Sequence, residues 1–168
     1  MRLDLRDIIH IPDASKPFRY QLDLSGLEFY GAHPIPRPVQ AEGAVTNHAG
    51  ALMLEGTATS VLDLTCDRCG KKFSREKRVP LDCLLAERLE DEKNDDGIVL
   101  LEGNKVDLDE LVSTAFILAL DTKNLCSDDC KGLCAKCGAD LNRGPCGCRP
   151  EVDPRLAALA QLLDDVTE

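Results

Sequence analysis

The chain has 168 residues, a formal net charge of −10 and 43% apolar residues. That describes one domain, or one domain with an appendage, with enough apolar material for a core, so global disorder is excluded. No apolar run approaches the ~20 residues of a membrane span, and Met1 to Asp7 alternates charge with leucine instead of forming an apolar leader core, so the expected location is cytoplasmic, with no membrane partner.

The first hundred residues read as strands. Leu3 and Leu5 alternate with polar residues. Phe18, Tyr20, Leu22 and Leu24 follow, separated by Arg19, Gln21 and Asp23, the period of a half-buried strand. Three prolines between His33 and Pro38 remove three backbone donors, which makes that stretch an extended connection. Val39 to Val45 resumes the alternation, Asn47 to Gly50 reads as a turn, and Leu52–Leu64 and Phe73–Leu85 read as long strands. The expectation is an α+β fold whose first half is an antiparallel, barrel-like meander.

The period then changes. Leu108, Leu111, Val112, Ala115, Leu118 and Ala119 share one helical face, predicting a helix over 107–120. Asp107 can cap it, with Glu110 reaching back as in a capping box. A last helix is predicted over 153–166, opened by Asp153-Pro154 and carrying Leu156, Leu159, Ala160 and Leu163 on its apolar face. This divides the chain into a β-rich domain, 1–121, and a cysteine-rich segment, 122–168.

Charge is unevenly placed. Residues 1–84 hold 11 Lys/Arg and 11 Asp/Glu, and residues 85–168 hold 9 and 19, so the whole excess lies in the second half. Its densest part, Glu87 to Glu110, reads as a solvated loop and helix start, or as an acidic face for a basic partner such as a ribosomal protein. The opposite sign gathers at Arg68, Lys71, Lys72, Arg75, Lys77 and Arg78. These six are candidates for contact with RNA phosphate, or else an ordinary basic strand edge. In an extended strand Lys71, Arg75 and Lys77 share one face, and Lys72 and Arg78 the other.

Nine cysteines carry the chemistry. Two of their clusters are Cys66-Asp67-Arg68-Cys69-Gly70 and Cys134-Ala135-Lys136-Cys137-Gly138, turns that aim two sulfurs at one ion while the glycine lets the backbone fold back. In a reducing compartment such clusters are metal ligands rather than disulfides. A thioredoxin-like redox role needs the pair at a helix start in a βαβ unit, a setting neither has. Cys134, Cys137, Cys146 and Cys148 can close one four-sulfur site across a short loop. That leaves Cys66, Cys69, Cys126 and Cys130 for a second, and two structural Zn²⁺ ions are expected. The rival arrangement is a single ribbon pairing Cys66 and Cys69 with Cys134 and Cys137. Cys83 alternates with Leu81 and Leu85 and reads as a core thiol.

No catalytic pattern accompanies the cysteines. His10, His33 and His48 lie far from them in sequence, and G-x-S-x-G, P-loop and G-x-G-x-x-G motifs are missing. The chain is expected not to be an enzyme and to have no small-molecule substrate.

Three blocks together carry a resemblance: Thr65 to Phe73, Cys130 to Asn142, and Asp153 to Leu159. In this order and spacing the chain resembles the YceD-like family, the large ribosomal RNA subunit accumulation proteins of bacteria and plastids. The resemblance implies a cytoplasmic, non-enzymatic factor supporting large-subunit ribosomal RNA, with precursor RNA or a ribosomal protein as partner. It supplies no catalytic residues. From the residues alone, a zinc-ribbon adaptor of a transcription or other nucleic-acid machine, or a thiol or metal sensor, stand as alternatives.

Overall fold

The computed structural model describes residues 1–88 and 97–148. Strands β1 (Arg2–Asp4), β2 (Ser15–Leu22), β3 (Val39–His48), β4 (Ala51–Thr65), β5 (Lys72–Ala86), β6 (Ile98–Leu100) and β7 (Lys105–Asp107) precede one helix, α1 (Leu108–Leu118). The predicted helix over 153–166 lies outside the described residues.

Five strands form one open sheet in the order β2-β3-β4-β5-β6, and β1 pairs with β7 in a separate ribbon. The meander is antiparallel through β5, but β6 runs parallel to β5. The expected barrel-like closure does not occur. The reason is what covers the sheet. Leu54, Leu62, Val79 and Leu81 on one face pack with Leu108, Val112 and Phe116 of α1, with Leu5 from the N-terminal arm and with Ile35 from the proline-rich connection, all buried. An apolar face buried under a helix and two arms needs no second sheet, and each such side chain contributes about 1.5–3 kcal/mol.

Asp107 caps α1 as expected, in an extended conformation, its carboxylate accepting from Asp109 N at 3.1 Å. The reciprocal bond expected from Glu110 is not made among the described residues. The β3–β4 turn is tight. Ala49 and Gly50 both have positive φ, 52° and 102°, as a two-residue hairpin requires. Asn47, 1% exposed, holds it in place: Oδ1 accepts from Gly50 N, and Nδ2 donates to the carbonyls of Ile8 and Ile9, each at 2.9 Å. This one buried amide joins the hairpin to the N-terminal arm.

Gly43 and Gly56 face each other across β3 and β4, and the Phe18 ring fills the space above them. A Cβ on Gly43 would lie 2.3 Å from the Glu55 carbonyl oxygen and 2.9 Å from the Phe18 ring. Gly43→Ala should therefore cost about 1–3 kcal/mol in urea unfolding, whereas Gly26→Ala, with open space around it, should stay within about 0.5 kcal/mol.

Candidate metal centres

The first centre joins the sheet to the segment after α1. Cys66 and Cys69 sit in the β4–β5 turn, where Cys66 N donates to Lys71 O and Gly70 N to Cys66 O. Cys126 and Cys130 arrive from the far side of the helix. All four sulfurs lie within 4.8 Å of one another. Cys66 Sγ is 3.8 Å from Cys130 Sγ, and Cys69 Sγ is 3.6 Å from Cys126 Sγ. A regular tetrahedron of sulfurs at ~2.3 Å from a central ion has edges of about 3.8 Å, so the donor set fits a tetrahedral ion.

The second centre repeats this geometry. Cys134 N donates to Ala139 O and Gly138 N to Cys134 O, both at 2.8 Å, and Gly138 has φ 71° against 70° at Gly70. Cys134, Cys137, Cys146 and Cys148 converge within the same 4.8 Å. Cys66 and Cys69 thus lie with Cys126 and Cys130, and the single-ribbon pairing with Cys134 and Cys137 is not formed. Cys83 stands outside both groups, packed against the core, its thiol pushed up to about 11 by burial and by Asp82.

Each tetrad is electrostatically divided without a cation. At Cys66, burial opposes the thiolate, but backbone N–H groups of Cys126, Cys69 and Arg68 outweigh it and bring the thiol down to about 6. Burial and the three neighbouring thiols push Cys126 up to about 12. In the second tetrad, N–H groups of Cys137 and Lys136 bring Cys134 down to about 6, while the Cys137 thiol and burial push Cys148 up to about 12. Four sulfurs this close cannot all ionise unaided. A divalent ion at the centre removes that obstacle and reduces the formal −4 of four thiolates to −2.

Sequence reasoning missed the coupling between the centres. Gly132 (φ 76°) packs on the first turn so closely that a Cβ there would lie 2.9 Å from Arg68 O, and Leu133 N donates to that same oxygen. Asn142, from the second centre's loop, points its Nδ2 at Cys130 Sγ at 3.6 Å and also donates to Asp140 Oδ1, while its Oδ1 accepts from Lys131 N. One side chain thus touches a ligand of the first centre and braces the loop that carries the second. The only sequence hint was its place at the end of the block Cys130 to Asn142.

Several residues of the basic run have partners within the molecule while staying on its surface. Arg68 Nη1 donates to Cys130 O at 2.7 Å, and Arg75 donates to Leu125 O while its guanidinium lies over the Phe73 ring. Lys77 Nζ pairs with Asp121 at 3.1 Å. Arg75 and Lys77 lie on the same face of β5 as Val79 and Leu81; Lys77 is half-buried beside Asp121, whereas Arg75 stays exposed while bonded to Leu125 O. Lys71 precedes the strand and is exposed, as are Lys72 and Arg78, and Arg78 pairs with Glu76 at 3.7 Å.

A family profile described as "Large ribosomal RNA subunit accumulation protein YceD" matches residues 54–163. The chain belongs to the YceD family. The match begins inside β4 and takes in β5, α1 and all eight clustered cysteines. The chain is 25% identical over 166 residues to the chloroplastic large ribosomal RNA subunit accumulation protein YCED homolog 1 of Arabidopsis thaliana, covering 81% of this chain and 52% of that protein. Its Zea mays counterpart is 28% identical over 182 residues, covering 89% and 61%. An uncharacterized protein of Mycobacterium leprae is 26% identical over 129 residues, covering 75% and 59%. The chain therefore spans between half and two thirds of the length of these relatives. No solved structure matches it.

Titrating the reduced apoprotein with Co²⁺ should reach two equivalents, with thiolate-to-cobalt charge-transfer bands. A plateau at one equivalent would mean that only one tetrad takes up an ion. Replacing Cys134 and Cys137 by serine should abolish uptake at the second centre and open residues 130–148 to hydrogen exchange, with β3–β5 still protected. Asn142→Ala should weaken uptake by about tenfold, the scale of a lost outer hydrogen bond to a ligand, and should affect both centres.

Proposed function

We propose that this chain is a zinc-stabilised, non-enzymatic ribosome-biogenesis factor that acts in the cytoplasm on large-subunit precursors and so supports accumulation of large-subunit ribosomal RNA. The observation that carries the reading is the YceD match across both tetrads, together with the printed names of the two chloroplastic relatives. Zinc is the ion that suits four thiolates in a tetrahedron, and an all-cysteine set leaves no position for a reacting water, which is the arrangement of a structural site. Among the described residues no helix is long and apolar enough to cross a membrane.

The mode of recruitment follows from charge. The chain carries −10, and two Zn²⁺ with eight thiolates add −4 (−8 + 4), so its overall field repels phosphate. Arg68, Arg75 and Lys77 each bond to the chain itself, although Arg68 and Arg75 stay exposed. Contact with a basic protein of the precursor particle therefore leads, with the exposed basic residues Arg68, Lys71, Lys72, Arg75 and Arg78 as candidates for phosphate and Lys71 and Lys72 the least engaged within the chain.

Depleting the protein should lower large-subunit relative to small-subunit ribosomal RNA, and the tagged chain should co-sediment with large-subunit precursors. An unchanged RNA ratio together with no co-sedimentation would overturn the reading. Changing Lys71, Lys72 and Arg78 to glutamine should leave co-sedimentation within about twofold, whereas a loss of tenfold or more, with a shallower salt dependence, would put RNA contact first.

A further inference from the structure

A groove of about 620 Å³ runs between α1, the end of β5 and β6. Its apolar lining includes Leu81, Val99, Leu111 and Ala115, and it is bordered by Leu118 and Leu100, which are 79% and 49% exposed. Exposed leucines beside an apolar groove are the usual mark of a surface that a partner covers. No Lys or Arg lines it, whereas Asp82, Glu102, Asp107 and Glu110 do. Arg2 offsets two of these acids, reaching Glu102 at 3.4 Å and Asp107 at 3.2 Å. Glu110 is exposed and has no ion-pair partner among the described residues, while Asp82, one position on from buried Leu81, lies on the opposite face of β5.

Charge selects the occupant. Residues 89–96 carry five acids and one base, and residues 149–168 carry five acids and two bases, net −4 and −3. Both have the sign of the rim, as does a second copy at −10. The form of the occupant follows from the strand edge. On this side β6 pairs with β5 only over Leu84–Ala86, and the free edge beyond carries Pro80, which removes a donor that an added strand would use. A helix laid beside α1 meets no such demand.

We propose that this groove docks a basic amphipathic helix of a protein partner, its apolar side chains on Leu111 and Leu118 and its lysines or arginines against Glu110. This rests on the reading that the chain joins large-subunit precursors, and it names the chemistry of the protein contact.

The probe is a labelled helical peptide with leucines at i, i+3, i+4 and i+7 and lysines elsewhere, alongside a counterpart with glutamates for lysines, each measured by anisotropy against the full chain. The lysine peptide should bind and the glutamate peptide should not. Leu118→Ser should weaken binding by at least about tenfold, and Glu110→Lys should do the same while admitting the glutamate peptide. Both sites are exposed, and an unchanged melting temperature confirms that the variants fold.

Equal binding by the variants would overturn the proposal, since it would mean diffuse adhesion to an acidic surface. So would competition by a synthetic peptide of residues 149–168, which would make the groove an internal docking site, or dimerisation that Leu118→Ser abolishes. Co-sedimentation with large-subunit precursors separates the two readings. If the wild-type chain does not sediment while the peptide results hold, the ribosomal role falls and the groove stands. If the wild type sediments and both variants sediment equally, the groove is not the recruiting surface and its proposed role is overturned.

Discussion

The convergence of Cys66, Cys69, Cys126 and Cys130 is the constraint on which the second half of the molecule depends. Residues 121–148 contain few large apolar groups, and Leu133, among them, is 46% exposed. Such a segment cannot offset its own ordering entropy by burial, at ~1–2 kcal/mol per residue. It is held by sulfur and by hydrogen bonds to the β4–β5 turn. Asp67 N donates to Asn124 O, Asn124 N to the Asp67 carboxylate, and Leu133 N to Arg68 O. The turn that closes two sheet strands is therefore also the platform on which the cysteine-rich lobe is built.

The same constraint explains the fate of the basic residues. A lobe presenting carbonyls and acids toward β5 needs cations opposite them, and Arg68, Arg75 and Lys77 meet Cys130 O, Leu125 O and Asp121. Residues that look in sequence like a phosphate-binding run act as struts between sheet and lobe. The groove beside α1, by contrast, is lined by acids and no Lys or Arg, and it combines that sign with exposed leucine.

Asn142 illustrates how the two centres become one unit. Its amide touches a ligand of the first tetrad and the Asp140 carboxylate of the second loop, which it holds below the usual carboxylate range through its backbone and side-chain N–H groups. The division drawn at residue 121 from composition is crossed by this network, because the first tetrad takes two ligands from each side.

Local pattern was enough for much of this. Alternation marked β2 to β5, the Asn47–Gly50 turn and the start of α1 at Asp107, because strand and helix periods are properties of neighbouring residues. Spacing marked the two C-x-x-C-G turns for the same reason. What the sequence could not express was which distant pieces meet. The parallel β6, the open sheet where a barrel-like closure was expected, the Phe18 ring over Gly43 and Gly56, and the bonds of Arg75 and Lys77 to Leu125 O and Asp121 all depend on contacts between residues distant in the chain. Eight paired cysteines by themselves pointed to metal-type donor sets. Only the tertiary structure decided which four sulfurs share a centre, because that choice is made by the path of α1 and its linker back to the β4–β5 turn.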